Sequence, residues 1–491
     1  MHLIQSIARK GGGLCAVVAC YVTTLSTLNS HSHTTTMVRG LSLSTGTDKQ
    51  PPISVAVIGG GIAGLSCAQY LQECAKNKFE VTVFDTGRLR PGGRCASRLP
   101  GDLPKDATLS RSTILGSQIV DHAAQILAVS PNASQPFKDE VNRWVQDGVL
   151  SSFPVNSVFQ ITSDNDNGVS FESLNKDDDS QMYYGSNGMG SIPFSISRDR
   201  LNVKQDVWIS PSNGVKYIDS NSGSTSSWRV KANGDFDRLV IAHNGKCADR
   251  LMSRTPAKKL HSLLRTNFAA NVAENGGKRM TLNSLYSLSF AVSKQSSSIL
   301  REKIPHDFIS GFIKNEPKLR FISNNTQKYQ HKNAKNDVDI YTVLSSPSFA
   351  KKYKAPQENL PNDLVEEVTK LLLEATERAI GVNKGTLSGA SSILETRLQL
   401  WGAAVPLNTW DGSGFIYDDK FNVGVCGDWL LDPSIEGAWE SGYRLAKWMD
   451  ESFDMSKEKR TVGLPPGGGS FVKAQSSKEA GIGSFPSLSK R

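Results

Sequence analysis

The sequence predicts an α/β protein in which a doubly wound, largely parallel sheet is interrupted by an inserted, mostly antiparallel α+β domain. Three observations predict it. A strand, a glycine turn, a helix and a second strand follow one another over residues 53–85. A strand, Gly427-Asp428 and a helix follow near the other end, over Val423–Met449. Between them lies a long run of strand-like stretches with one amphipathic helix.

The first unit has each part of a dinucleotide-binding βαβ fold in order. ISVAVI (Ile53–Ile58) is a continuous apolar, β-branched run, as expected of a buried parallel strand. Gly59, Gly61 and Gly64 form G-x-G-x-x-G. The first glycine allows the tight turn, the second lets backbone approach a pyrophosphate, and the third lets the next helix pack close to the strand. Small and apolar residues then alternate over Leu65–Ala75, the expected helix, and EVTVF (Glu80–Phe84) is the second strand. Asp85 ends that strand, where a carboxylate can bind ribose hydroxyls.

Two further segments choose between a nicotinamide and a flavin dinucleotide. RPGGRCASR carries Gly92, Gly93 and Arg94, a second close backbone approach followed by a guanidinium able to fork onto pyrophosphate oxygens. VGVCGDWLLDPSIEGAWESGYRLAKWM brings Gly427 and Asp428 to the ribityl–phosphate region and then a helix N-terminus, where the amides of Ile435, Glu436, Gly437 and Ala438 favour negative charge on the reduced ring. A helix-end effect of this kind contributes ~0.3–1 kcal/mol, and up to ~2 kcal/mol when partly buried. A nicotinamide-only enzyme needs neither segment, so FAD is the expected cofactor.

Together these segments resemble the FAD-dependent amine-oxidase-like superfamily, and within it the renalase-like oxidoreductases, over roughly residues 53–450. VDHAAQ (Val120–Gln125), FDRLVIAHN (Phe236–Asn244), LYSLSFAVS (Leu285–Ser293), FIKNEPKLRFISNN (Phe312–Asn325) and LQLWGAAVP (Leu398–Pro406) are similar to shorter stretches of that family. The resemblance implies a glutathione-reductase-like FAD domain and adds Ala63, Arg94, Gln125 and Ile126 to the FAD contacts. Ile126 stands where an aromatic residue is usual, and Asp85 where many relatives have Glu. Trp401, just before the crossover back to the FAD domain, is the expected wall of the substrate pocket. The resemblance further implies a reduced nicotinamide as hydride donor, isomeric dihydro forms included, with dioxygen as acceptor and hydrogen peroxide as product. Such a donor becomes aromatic on losing hydride and needs no general base; no catalytic acid or base is assigned. The alternatives are a flavin amine oxidase, a desaturase-type oxidase, and a flavin-binding interaction protein without turnover.

The net charge of +9 suggests nucleic acid until it is located. Residues 1–47 hold Arg9, Lys10 and Arg39 with no acid, and residues 455–491 hold seven Lys/Arg against Glu458 and Glu479. The body between them is near neutral, which argues against a phosphate-tracking surface. The seven cysteines form no C-x-x-C pair, so no metal site is expected, and an odd, scattered set is no disulfide framework. Cys426 lies on the wrong side of the Gly427-Asp428 loop for a thioether to flavin, so FAD is expected to be noncovalent. Arg9-Lys10 precede LCAVVACYV (Leu14–Val22), nine apolar residues against the ~20 a membrane span needs. No transmembrane span is expected, and residues 1–50 read as an organellar or secretory targeting segment, with Met37 a second candidate start. The final Ser-Lys-Arg lacks the apolar end of a peroxisomal address.

The superfamily plan divides the chain into FAD-domain parts at 53–155, 227–256 and 393–453 and substrate-domain parts at 156–226 and 257–392. A disordered basic tail is expected over 454–491. Within the second insert, Leu364–Ile380 shows helical apolar spacing with Glu366, Glu367 and Glu374 solvated. His122 and His243 read first as hydrogen-bonded structural histidines, and Asp121 as a turn cap.

Overall fold

A computed structural model describes residues 51–75, 77–102, 114–164, 168–177, 181–219, 226–332, 338–389, 391–452 and 461–474. The targeting segment expected at residues 1–50 lies outside them.

The nucleotide-binding sheet has the order Asn202–Lys204, Phe79–Phe84, Ile53–Ile58, Arg238–Ile241, Val423–Val425 and Ile416–Asp418. The first five strands are parallel and the last is antiparallel. Side chains alternate across it as a strand period of two requires. Val55 and Val57 point into the core shared with helices Ile62–Glu73 and Ile435–Glu451. Ala56 and Ile58 point into the opposite core, with Leu251 and Leu260 from helices Gly245–Ser253 and Lys258–Leu264. A parallel sheet covered on both faces needs strands that are apolar throughout, and ISVAVI meets that need.

The inserted sheet has seven strands in the order Ile393–Trp401, Leu285–Val292, Asp339–Ser345, Leu319–Asn324, Ser310–Lys314, Val158–Asp164 and Gly168–Ser173. Every pairing is antiparallel except that of Ser310–Lys314 with Val158–Asp164. Helix Asn362–Ile380 lays Val368, Leu372, Ala375 and Ala379 into the core on one face of this sheet. Leu285, Phe312, Phe321 and Leu344 on the other face join the nucleotide-binding domain's core.

Four boundaries differ from the sequence reading. Asn202–Lys204, assigned to the insert, is an edge strand of the nucleotide-binding sheet; three residues flanked by turns carry too little pattern to announce a parallel strand. Ile393–Trp401, assigned to the FAD domain, is the edge strand of the inserted sheet, so the chain crosses back only after Trp401. In the Ser/Asn/Asp-rich residues 163–180, for which the sequence reading names no strand, Gly168–Ser173 pairs with Val158–Asp164 as a hairpin. The tail read as disordered is ordered over residues 461–474: Ser470–Lys473 pairs with Asn408–Asp411, and Phe471 is buried against Trp410 and Trp429. A glycine-rich run looks disordered until a single aromatic anchors its far end.

Candidate functional site

The carboxyl ends of four parallel strands open onto one cavity of about 380 Å³. Ile58–Gly61, Phe84–Thr86, Ala242–Asn244 and Gly427–Trp429 line it from those strand ends. That crevice, at the carboxyl edge of a doubly wound sheet, is where such folds bind ligands. Gly92, Gly93, Arg94, Cys95 and Ala124 close one side, and Pro433–Ile435 with Ala438 bring the start of the last long helix to the other.

The two distant ends of the chain are drawn together by close helix packing. A Cβ at Gly442 would stand 2.0 Å from the Ala63 carbonyl, so only glycine lets the last helix touch the first there. Ser66 donates to the Trp439 carbonyl at 2.8 Å across the same contact. Arg94 Nη1 lies 2.7 Å from Asp428 Oδ2 and donates to the Ala404 carbonyl at 2.7 Å, tying the second glycine motif to the C-terminal one. Burial works against the Arg94 charge, but Asp428 outweighs it and holds the guanidinium above its ordinary value.

The cavity has the chemistry of a dinucleotide cradle. Helix Ile62–Glu73 starts with no capping side chain and no acid in its first turn, which leaves its N-terminal amides for an anion. A Cβ at Gly61 would meet nothing within 4 Å, so the backbone there faces open space, and Gly61 bridges to Gly92 alongside. Asp85 is buried; its Oδ2 accepts from the Gly60 amide at 2.8 Å and its Oδ1 from the Gly87 amide at 2.6 Å. Burial raises its pKa, while those amides pull it back. Trp429 lines the cavity with a buried indole N–H that has no partner. At the last helix, Ser434 is the N-cap and accepts from the Gly437 amide at 2.9 Å. These residues fit FAD.

Of the residues expected at the cofactor, Gly59, Gly61, Ala63, Asp85, Gly92, Gly93, Arg94, Gly427, Asp428 and Ala438 line the cavity, and so does Trp401. Five are elsewhere. Gly64 serves packing, since a Cβ there would stand 2.0 Å from the Gly59 carbonyl. Ile126 is buried in the core behind the site. Gln125 is buried too, donating to the Asp121 carbonyl at 2.9 Å. Glu436 turns away to accept from the Ser130 amide at 2.7 Å. Gly437 spends its amide on Ser434 and abuts Asp432. A helix turns 100° per residue, so consecutive first-turn residues cannot all face one ligand.

Several participants escaped the sequence reading. Gly60 is required because a Cβ there would stand 2.6 Å from Asp85 Oδ2; the usual motif leaves that position free. Loop residues Val207–Ile209 line the cavity, held when the Val207 amide donates to the Asp85 carbonyl at 2.9 Å, and no sequence signal marks them. His243 reaches the cavity wall with Nδ1 3.1 Å from the Ile58 carbonyl, and burial lowers its pKa. A carbonyl only accepts, so Nδ1 carries the proton. Trp401 stacks on His122, with ring centroids 5.7 Å apart, and donates to its carbonyl at 3.1 Å. Burial, then the nearby Arg98, push the His122 pKa down to about 3.

Behind the cavity, Asp121 is a network centre rather than a turn cap. Its Oδ2 accepts from Lys328 at 2.6 Å and from Tyr329, and its Oδ1 from Ser97 and the Met189 amide. Lys328 is fully buried, and desolvation lowers its pKa against the pull of Asp121. Among the described residues, no cluster of three or more His, Cys, Asp or Glu could hold a metal ion, and no helix is long and apolar enough to cross a membrane.

Comparison with known proteins agrees with the cradle. Residues 57–141 match the family model of the NAD(P)-binding Rossmann-like domain. No curated protein matches. Among solved structures, a triple variant of putrescine oxidase from a redesign of its cofactor binding is similar at 12% identity, covering 81% of this chain and 98% of that one, with a TM-score of 0.49. Wild-type putrescine oxidase bound to putrescine is similar at 12% identity over 81% and 99% of the chains, with a TM-score of 0.46. In place of the reduced-nicotinamide donor expected from the sequence, the structures found similar are of putrescine oxidase. The chain has an α/β dinucleotide-binding domain of the Rossmann type and an inserted α+β domain.

Proposed function

We propose that the protein is an oxidase that dehydrogenates a small amine, holds FAD without a covalent bond, and uses dioxygen as acceptor. The observation that carries this reading is the convergence of Gly59–Ala63, Gly92–Arg94 and Gly427–Asp428 on one cavity that Trp401 also lines, with His122 stacked on Trp401. Bound FAD supplies the two-electron acceptor, which dioxygen restores as hydrogen peroxide forms.

The side chains around the cavity suit a donor that needs no base. Asp85 takes two amides, Asp428 takes Arg94, His243 is buried against Ile58, and His122 stays uncharged at neutral pH. An amine meets that condition. The carbon beside nitrogen gives up hydride while the nitrogen lone pair forms the C=N bond, and water later hydrolyses the iminium. Positive charge at Arg98 and Arg397, which disfavours protonation of His122, also disfavours the ammonium form and keeps the lone pair free. The cavity thiol of Cys95 donates to the Met189 carbonyl at 3.4 Å and is kept protonated by burial. Cys426 is buried in the core, hydrogen-bonded to Cys67 and, at 3.6 Å, to the Ala63 carbonyl. Both thiols are held protonated, that of Cys95 by burial and that of Cys426 first by Cys67.

Anaerobic stopped-flow mixing of the yellow holoprotein with a panel of primary amines tests the reading. Bleaching by amines, recovery of colour with stoichiometric peroxide on admitting oxygen, and release of all colour on acid precipitation are expected. A holoprotein that no amine bleaches would overturn the amine assignment.

A further inference from the structure

The near-neutral body of the chain hides a segregated charge. Helices Gly245–Ser253 and Lys258–Leu264 cover one face of the nucleotide-binding sheet, with Ala248, Leu251, Leu260 and Leu264 in the core. Their outer side carries Lys246, Arg250, Arg254, Lys258, Lys259 and Arg265, all exposed. The only acid in residues 245–265 is Asp249, whose Oδ1 lies 2.8 Å from His261 Nε2. Among the described residues, none of the six cations forms an ion pair with a carboxylate. With this face set aside, the rest of the body has a net negative charge.

These charges work against the helices that carry them. Lys246, Arg250 and Arg254 stand four residues apart along one stripe, where like charges repel. Lys246, Lys258 and Lys259 lie in first helical turns that hold no acid, the ends at which the helix dipole disfavours cations. The fold gains nothing from such placement; an anionic partner does. The patch also reaches the rim of the cavity. Lys246 and Lys354 place their Nζ atoms 5.7 Å and 4.9 Å from the centroid of the same Phe268 ring, which joins the helix pair to a loop of the inserted domain. Cys247 of the first helix lines the cavity, and so does Trp208, which is 64% exposed. Residues 245–265 contain no Phe, Tyr or Trp to stack on bases, whereas an exposed tryptophan at the border of a cationic face is the side chain that bilayer interfaces favour.

We propose that this face docks the protein on an anionic phospholipid surface, with the helix pair over the headgroups. Each Lys or Arg held near such a surface adds about fivefold in affinity, and the attraction falls off within a Debye length. Docking brings the rim of the cavity toward the bilayer, whichever donor the holoprotein oxidises.

Sedimentation of the holoprotein with vesicles tests the docking. Vesicles of phosphatidylcholine mixed with phosphatidylserine should carry it down, phosphatidylcholine alone should not, and added salt should release it. Reversing three charges together, Arg254→Glu, Lys258→Glu and Lys259→Glu, is expected to weaken binding tenfold or more. Lys258→Gln with Lys259→Gln, a milder change, should show a smaller loss of the same sign. Lys258→Arg with Lys259→Arg keeps the charge and should keep the binding. The flavin spectrum and melting temperature of each variant report that the fold is intact. The basic ends of the chain are present in every protein compared, so the difference reads this face alone. Equal binding to neutral vesicles, undiminished binding by the charge-reversed variant, or no binding to any vesicle would each overturn the proposal. Capture by heparin or duplex DNA without capture by vesicles would overturn it too, in favour of a polyanion.

Discussion

Gly60 and Gly61 are neighbours in one turn, yet a methyl group added to each meets different surroundings. At Gly60 it collides with Asp85, whose Oδ2 also takes the Gly60 amide; at Gly61 it enters the cavity. Gly60→Ala is therefore expected to destabilise the protein by about 1–3 kcal/mol, read by chemical denaturation. Gly61→Ala should leave the apoprotein's stability within about 0.5 kcal/mol while weakening FAD tenfold or more, read by flavin fluorescence quenching. Only the second effect was legible in the motif; the first needs the position of Asp85. His122 gives a pH prediction. The unfolded chain takes its proton near pH 6.5 and the folded protein only near pH 3, so this histidine favours the native state above 6.5, and that advantage is lost as pH falls from 6.5 toward 3. Stability should fall by up to ~1.4 kcal/mol per pH unit in that window. Denaturant midpoints of His122→Gln at pH 7 and pH 4.5 should show a flatter dependence than wild type; an unchanged slope would sink the assignment.

At the scale of elements, contact between the first and last long helices decides whether the site exists. Gly442→Val must force the helix away from Ala63. It is expected to cost 2 kcal/mol or more by analogy with other overpacked sites (~1–3 kcal/mol) and to yield colourless protein that added FAD restores poorly. Sequence patterns announced these two helices and the strands before them, because long apolar periods and glycine turns are local signals. They did not announce Gly442, which is one small residue in an amphipathic helix until its partner is known. The same limit explains the misassigned Asn202–Lys204 and Ile393–Trp401 strands: membership of a sheet is decided by a neighbour far along the chain. Gln125 was named by resemblance and Glu436 by its place at the helix start, and both side chains serve the protein's own backbone.

For the whole molecule, closure depends on the segment after the last helix. Phe471 packs on Trp410 and Trp429, and Trp429 lines the cavity. Phe471→Ala is expected to cost about 3–5 kcal/mol, seen as a lower melting temperature of the holoprotein; a variant as stable as wild type would show that the strand merely rests on the surface. The alternation of domains along the chain has a consequence for biosynthesis. Ile53–Ile58 sits between Phe79–Phe84 and Arg238–Ile241, whose own outer neighbour is Val423–Val425. A nascent chain leaving the ribosome therefore holds half a crevice, with apolar strand faces uncovered, until Val423–Val425 has been made. Pairings so far apart in sequence form slowly, so the newborn polypeptide is expected to depend on chaperones until helix Ile435–Glu451 arrives.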